Sequence, residues 1–402
     1  KVKHVMNITD VGHLVSDADE GEDKMAKTAR IENRSVYEIA KEYTDAFMKD
    51  IKALNIDTPE HIAKATEHIR EMEIYVNDIV KNGYAYETSK GVYFDTSKLP
   101  NYGKMLSNNN IDDLKAGARV EVDTEKRNPQ DFALWIKAPK EHIMKWNSKW
   151  GLCYPGWHIE CSAMSRKYLG DKFDIHTGGV DHIPIHHENE IAQSIGATGH
   201  NLANYWMHVE FLLIDGGKMS KSLGNVYTLN DLKAKGIDAL SYRYFTYSSH
   251  YRNKLNFTWD AIKSAKNSLN KLRDMIALHK DVNKKIDKNI ISKYEEQFLD
   301  AINDDMNMPV AVSVVWEIAK EKEKSNDFYE LIKKFDSVLS LDLDKNDKED
   351  INIPEDIKLI LNERKDARKN KNFAKSDELR DKLKELGYIV KDTKDGQIIE
   401  KV

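Results

Sequence analysis

Cysteine is scarce in this chain. Its 402 residues hold two, Cys153 and Cys161, too few for a disulfide framework, which predicts a reducing, cytoplasmic compartment. Long apolar runs are missing as well. The longest span a few residues, Phe211 to Ile214 among them, so no membrane partner and no bilayer-spanning helix are expected. No signal peptide is expected. It starts at Lys1, and KVKHVMNITD reads as an interior strand, which predicts further residues upstream. Nor is there a field of one sign: 62 basic side chains face 67 acidic ones, for a net charge of −5. Any nucleic acid would have to be held by local patches. Internal repeats and low-complexity tracts are also absent. What is there, 40% hydrophobic and 32% charged residues, is a globular balance with length for two or three domains.

The rest is organised around the stretch Gly156 to Glu190, GWHIECSAMSRKYLGDKFDIHTGGVDHIPIHHENE. Cys161, His186 and Glu190 lie in it. His186 and Glu190 are four apart and share a face on a helix. With a thiolate from a separate element they form a plausible zinc ligand set. A buried thiol beside a solvated His/Glu face fits the spacing too. Between the halves, Gly178 and Gly179 let backbone approach a ligand closely, and Asp181 offers a carboxylate for ribose hydroxyls. Further on, Asp215-Gly216-Gly217 turns a strand into Lys218-Met219-Ser220-Lys221-Ser222-Leu223-Gly224-Asn225, a Gly-flanked cationic loop suited to a polyphosphate.

The remaining pattern predicts a mixed α/β chain. Lys1 to Asn7 reads as a strand ending at Thr9 and Asp10, and residues 11–33 as an acidic loop. Ser35 to Leu54 has helical periodicity. Thr58-Pro59-Glu60 predicts a helix start, running to about Asn82. Residues 84–95 predict a hairpin about Ser89-Lys90-Gly91, Phe132 to Ile136 a strand, and Met207 to Ile214 another. From Asp231 onward the pattern is helical: 237–250, 259–281, 288–303, 309–324 and 327–341. An acidic linker, Asp342 to Asp350, precedes a further helix from Pro354, in which Arg364, Arg368 and Lys371 form a basic stripe. A hairpin about Asp395-Gly396 closes the chain.

GGKMSKSLGN, GWHIECSAM, HTGGVDHIPIHHENE and the NITD of Asn7 to Asp10 together resemble the cysteinyl-tRNA synthetases, a family of class I aminoacyl-tRNA synthetases. LNFTWDAIKSAKNSLNKL, DDMNMPVA and KNFAKSDELRDKL extend the resemblance to essentially the whole chain. It implies a Rossmann-like catalytic domain in two parts, residues 1–59 and 151–229, around a connective-peptide insertion, 60–150. A stem-contact region (230–258), a helical tRNA-binding bundle (259–345) and a small α+β anticodon-binding module (346–402) would follow. The family's HIGH motif, and the Cys that precedes it as a fourth zinc ligand, are not in this sequence. Val11-Gly12-His13 is not that motif, and Cys153 is a bystander thiol.

The resemblance further implies one zinc ion per chain, held by Cys161, His186 and Glu190, that selects the cysteine thiolate. Thr9 would hold the substrate's amino end, Trp157 would wall the pocket, and His158 and His176 would line it. Gly178, Gly179, Asp181, Lys218, Ser220 and Lys221 would take ATP with Mg²⁺, Lys221 leading and Lys218 assisting catalysis. The cysteine carboxylate would attack the α-phosphate, pyrophosphate would leave, and the cysteinyl group would pass to tRNA(Cys) on a monomeric enzyme. Arg364, Arg368 and Lys371 would meet the tRNA. Two rivals stand beside this: a cysteine:amino-sugar ligase of the same superfamily, and a noncatalytic zinc- or RNA-binding paralogue.

Overall fold

The structure, a computed structural model, describes residues 1–10, 24–106, 124–140, 142–156, 158–220, 223–345, 354–393 and 396–401. Parallel pairing frames the functional half. Strand Val5–Ile8 pairs with His61–Lys64, Phe173–Gly179 with Ala203–Val209, and Leu212–Ile214 with Leu255–Phe257. Helices Ile69–Lys81, Ile159–Leu169 and Glu188–Thr198 pack among them. Their shared core includes Met72, Val76, Ile79, Ile159, Ala163 and Ala192, all essentially buried.

The helix at Val36–Ala53 has a reciprocal capping box: the Ser35 hydroxyl accepts from Glu38 N–H, and the Glu38 carboxylate accepts from Ser35 N–H. The next stretch departs from expectation. Thr58-Pro59-Glu60 does not open a helix. Residues 61–64 form a strand, and the helix begins at Ile69. The local cap signal loses to a parallel partner, Val5–Ile8, more than fifty residues away in sequence. Asp10 adds to that tie by accepting from Thr66 N–H and Oγ1–H at 2.9 and 2.6 Å. Residues 24–32, expected as loop, are helical. The strand expected over 207–214 is two, Ala203–Val209 and Leu212–Ile214.

An antiparallel five-stranded sheet lies between the parallel pairs, in the order 85–87, 91–94, 132–137, 151–155, 146–148. Pairing therefore crosses both ends of the stretch 60–150: His61–Lys64 joins the N-terminal strand, and Gly151–Pro155 joins the inserted sheet. Gly91 is required there, because a Cβ would meet the Trp135 carbonyl oxygen at 2.2 Å. Cys153 is fully buried in this sheet.

Four helices, Trp259–Ala277, Lys288–Asn303, Met308–Ala319 and Asn326–Leu339, form a bundle around Leu269, Ile276, Phe298, Val315, Ile332 and Phe335. Phe298 and Phe335 stack at 4.0 Å between centroids. A last module, helices Glu355–Lys369 and Phe373–Glu385 with hairpin Tyr388–Thr393 and Gly396–Lys401, has its own core of Ile357, Leu361, Leu379, Leu383, Tyr388 and Val390. No described helix is long and apolar enough to cross a membrane.

Candidate metal and nucleotide site

The two halves of the central motif converge on Glu190. Cys161 lies in the first turn of helix Ile159–Leu169. A π-helical turn, Ile183–His187, feeds helix Glu188–Thr198. Such turns are often found at functional sites, and this one brings His186 and His187 to the same carboxylate. Donor atoms of Cys161, His186 and Glu190 lie within 4.8 Å of one another, as do those of His176, His187 and Glu190. His176 Nε2 is 2.8 Å from Glu190 Oε2, and His186 Nε2 is 3.6 Å from Glu190 Oε1. The acidic run of HHENE divides its labour. Glu188 accepts from the Gly103 and Leu106 N–H groups at 3.0 and 2.7 Å, and Asn189 accepts from Tyr102 Oη–H. Those two fasten a neighbouring loop, and Glu190 faces the histidines.

The electrostatics fit a cation. Burial opposes ionisation of Glu190, yet His176 and His186 outweigh it and hold the carboxylate well below its usual range. Burial, reinforced by Glu190, pushes the Cys161 thiol well up; a divalent cation among these donors would reverse that shift. Burial also pushes the His187 imidazole down to about 3, leaving it neutral. Glu190 Oε1 is buried and accepts no hydrogen bond among the described residues. A soft thiolate, an imidazole and a buried carboxylate within 4.8 Å of one another are a donor set that zinc accepts.

His158 sits at φ 79°, in the left-handed region that a bulky side chain rarely adopts, and is buried. From there its Nδ1 meets His186 Nδ1 at 2.6 Å. His176 stands on strand Phe173–Gly179, edge-on to Trp206. Thr9, at the end of the first strand, accepts from Asn7 Nδ2–H at 3.2 Å, and the same amide group lies 3.5 Å from Cys161 Sγ. Thr9 is thus linked to the cluster through one side chain. Trp157 lies outside the described residues.

Gly178 has a duty beyond the one expected of it. A Cβ there would meet His187 Cε1 at 2.6 Å and His182 Nδ1 at 2.8 Å, so its lack of a side chain lets the histidines pack. Gly179 and the exposed Asp181 follow at the carboxyl end of that strand, the end where open parallel sheets bind ligands. Lys218 is exposed on the short strand Gly217–Lys218. The Asn225 carboxamide clamps this loop, donating to the Lys218 carbonyl at 3.0 Å and accepting from Ser220 N–H at 2.8 Å. Lys221 and Ser222 lie outside the described residues, as do Val11 to His13.

Sequence reasoning missed His187 and His208, whose Nδ1 and Nε2 meet at 2.8 Å. The parallel register that pairs Gly178 with His208 and His176 with Trp206 creates this contact. The doubled histidine and the WMHV strand were the available signals. The basic stripe needs correction. Arg364 is fully buried and grips Asp392 with both terminal nitrogens at 2.9 Å, with Gln397 Oε1 at 2.8 Å. It is not a tRNA contact but the pin between helix and hairpin, because it lies on the helix face that packs. Arg368 reaches the same Asp392 from the surface, and Lys371 is exposed.

Three family models match the chain: "tRNA synthetases class I (C) catalytic domain" over residues 1–267, "DALR domain" over 297–344, and "Cysteinyl-tRNA ligase anticodon binding domain" over 351–399. Among curated proteins, a cysteine–tRNA ligase of Treponema denticola is 45% identical, across 97% of this chain and 86% of its own length. Cysteine–tRNA ligase 1 of Burkholderia lata is 44% identical, across 98% and 83%. Among solved structures, Mycobacterium tuberculosis methionyl-tRNA synthetase bound by methionyl-adenylate superposes with a TM-score of 0.50 at 15% identity, covering 84% of each chain. That likeness is one of fold.

Proposed function

The chain belongs to the cysteine–tRNA ligase family of class I aminoacyl-tRNA synthetases, and from that premise we propose how its residues carry out ATP-dependent cysteinylation of tRNA. Cys161, His186 and Glu190 would hold a zinc ion. When bound, that ion supplies a bond that a thiolate makes far better than a hydroxyl or a methyl group. A site resting on one such directional bond rejects analogues lacking the group much better than an apolar pocket does. The observation that carries this reading is that ligand atoms of Cys161, His186 and Glu190 lie within 4.8 Å of one another, beside a Glu190 Oε1 that is buried and accepts no hydrogen bond among the described residues.

The chain's own groups do the rest. His176 hydrogen-bonds Glu190 and keeps the carboxylate ionised. His158 orients His186. Thr9, fixed by Asn7, receives the amino end of cysteine, and Trp157 is the residue proposed to wall the pocket. Gly178, Gly179 and Asp181 take the adenosine at the carboxyl end of their strand. Lys218 and Ser220, which Asn225 clamps, meet the phosphates of ATP with its Mg²⁺, together with Lys221. There positioning and charge do most of the work of phosphoryl transfer. The cysteine carboxylate attacks the α-phosphorus, the bond to the bridging oxygen breaks, and pyrophosphate leaves. The acyl group then passes to the 3′-terminal adenosine of tRNA(Cys).

The anticodon-binding match over 351–399 favours tRNA over an amino sugar as acceptor. Arg368 and Lys371 remain candidates for tRNA phosphates. A monomeric enzyme in a cytoplasmic, reducing compartment completes the proposal, the latter supported by two free thiols. Cysteine-dependent exchange of pyrophosphate into ATP tests the activation step, and charging of tRNA tests the acceptor. Exchange that serine stimulates as well as cysteine does would refute the selectivity.

A further inference from the structure

The segment between the lysine loop and the bundle bonds to several distant parts of the chain. Arg243, on helix Ala239–Thr246, donates through Nη1 to the Leu54 and Asn55 carbonyls at 2.7 and 2.9 Å. Through Nε it reaches the Leu339 carbonyl at 2.9 Å and Tyr247 Oη at 2.8 Å. Leu54 and Asn55 end the helix Val36–Ala53; Leu339 ends the last bundle helix. Both helices stop in left-handed residues, Asn55 at φ 53° and Ser340 at φ 52°, which turns their last carbonyls outward. One guanidinium therefore satisfies two helix C-termini from different parts of the chain, where a cation is favoured. Tyr247 Oη–H donates to the same Leu339 carbonyl, and Asn55 Nδ2–H to the Ser340 carbonyl.

Beyond Tyr247, the same segment takes hold of the bundle again. Tyr251 Oη–H and Arg252 Nε–H donate to the two carboxylate oxygens of Asp305 at 2.6 and 2.5 Å, and His250 Nε2 lies 2.9 Å from its carbonyl. Asp305 and Met306 are both left-handed, at φ 52° and 53°. Strained non-glycine backbone persists only where its surroundings enforce it. The turn at 305–306 and the helix end at 339 belong to one end of the up-and-down bundle. On its other side the segment reaches the lysine loop. Tyr251 O accepts from Glu210 N–H, and strand Leu255–Phe257 pairs with Leu212–Ile214, which pairs with Gly217–Lys218.

We propose that Arg243 and the His250-Tyr251-Arg252 grip on Asp305 are positioning elements for the transfer step: they set the angle of the bundle against the catalytic half, so that a tRNA held by the bundle delivers its 3′ end to the adenylate. The proposal rests on tRNA being the acceptor. Neither group lies in the metal or nucleotide cluster, and the link to the lysine loop runs through backbone pairing that side-chain changes at 243 and 305 leave in place, so activation should be little changed without them. A misplacement of about 1 Å suffices to cost on the order of a hundredfold in rate, which a loosened bundle end easily supplies at the 3′ terminus.

The test compares the full enzyme with Arg243→Met and with Asp305→Asn, the latter a mild change because Asn tolerates the left-handed region. Cysteine-dependent pyrophosphate exchange should stay within about twofold in both, while kcat for tRNA charging falls about ten- to a hundredfold with KM for tRNA little changed. Arg243→Lys, which keeps the charge but not the fork, should restore only part. Loss of exchange and charging in equal proportion, or charging unchanged in both variants, overturns the inference and leaves the proposed function standing. An unaltered enzyme that activates cysteine but charges no tRNA overturns both.

Discussion

The Nδ1 atoms of His158 and His186 face each other at 2.6 Å, so one ring must donate to the other. That hydrogen bond fixes the ring of His186 and leaves its Nε2 toward Glu190, 3.6 Å from Oε1. Partners of this kind orient a metal ligand, and losing one typically costs about 10–100-fold in metal affinity. His158→Ala should therefore weaken zinc binding by about that factor, with unchanged helix content, in competition against a chromophoric chelator. Unaltered affinity would show that His186 needs no such support.

The two cysteines should behave oppositely. Cys161 shares its cluster with Glu190, whereas Cys153 is buried in the inserted sheet. Cys161→Ser should strip the metal and Cys153→Ser should leave it, as read by metal analysis of the purified proteins. Equal loss from both would assign the wrong thiol.

Lys221→Ala should slow cysteine-dependent pyrophosphate exchange by tens of fold or more, since removing one charged group from such a transition state costs about 2–4 kcal/mol. Zinc content should not change. Asn225→Ala, which frees the Lys218 carbonyl and Ser220 N–H, should slow exchange several-fold through loop disorder. Exchange at the parent rate in Lys221→Ala would remove this loop from the mechanism.

In the C-terminal module, Arg364 holds the Asp392 carboxyl below its usual range, with Arg368 and Arg380 adding to the effect. A carboxylate whose pKa is lower folded than unfolded contributes its full stability above the unfolded value, about 3.9, and loses it as pH falls toward the folded one. Thermal unfolding of the module should thus shift downward as pH drops below about 4. Asp392→Asn should lower Tm at pH 6 and flatten that dependence. Arg364→Met should lower Tm as well, because it removes the hydrogen bonds that tie helix to hairpin through Asp392 and Gln397. A parent and an Asp392→Asn variant with the same pH profile would contradict the linkage.

Much of this was legible because the signals were local. The helix over 36–53 announces itself by its period and by Ser35 and Glu38. Cys161, His186 and Glu190 stand in one continuous motif. What stayed hidden depended on partners distant in sequence. His61–Lys64 is a strand only because Val5–Ile8 lies beside it. His187 and His208 meet only through a parallel register and a π turn. Arg364 reads like any lysine or arginine on a helix until the hairpin shows which face is covered.

Cutting the chain near Lys345 should leave cysteine activation nearly intact and sharply weaken tRNA charging, since the module beyond has its own core. For every tRNA phosphate that the shorter chain no longer meets, the salt dependence of binding should fall by roughly one unit of slope or slightly less. Charging at undiminished efficiency would give this module another task.

In the proposed function Glu190 gathers the ligands that let the enzyme choose cysteine. Glu190→Gln keeps the shape and removes the charge, so it isolates that role. The most direct measurement pairs the zinc content of this variant with its pyrophosphate exchange on cysteine and on serine. Loss of zinc and of cysteine-dependent exchange together is the expected result. Full zinc occupancy with parental preference for cysteine over serine would contradict it.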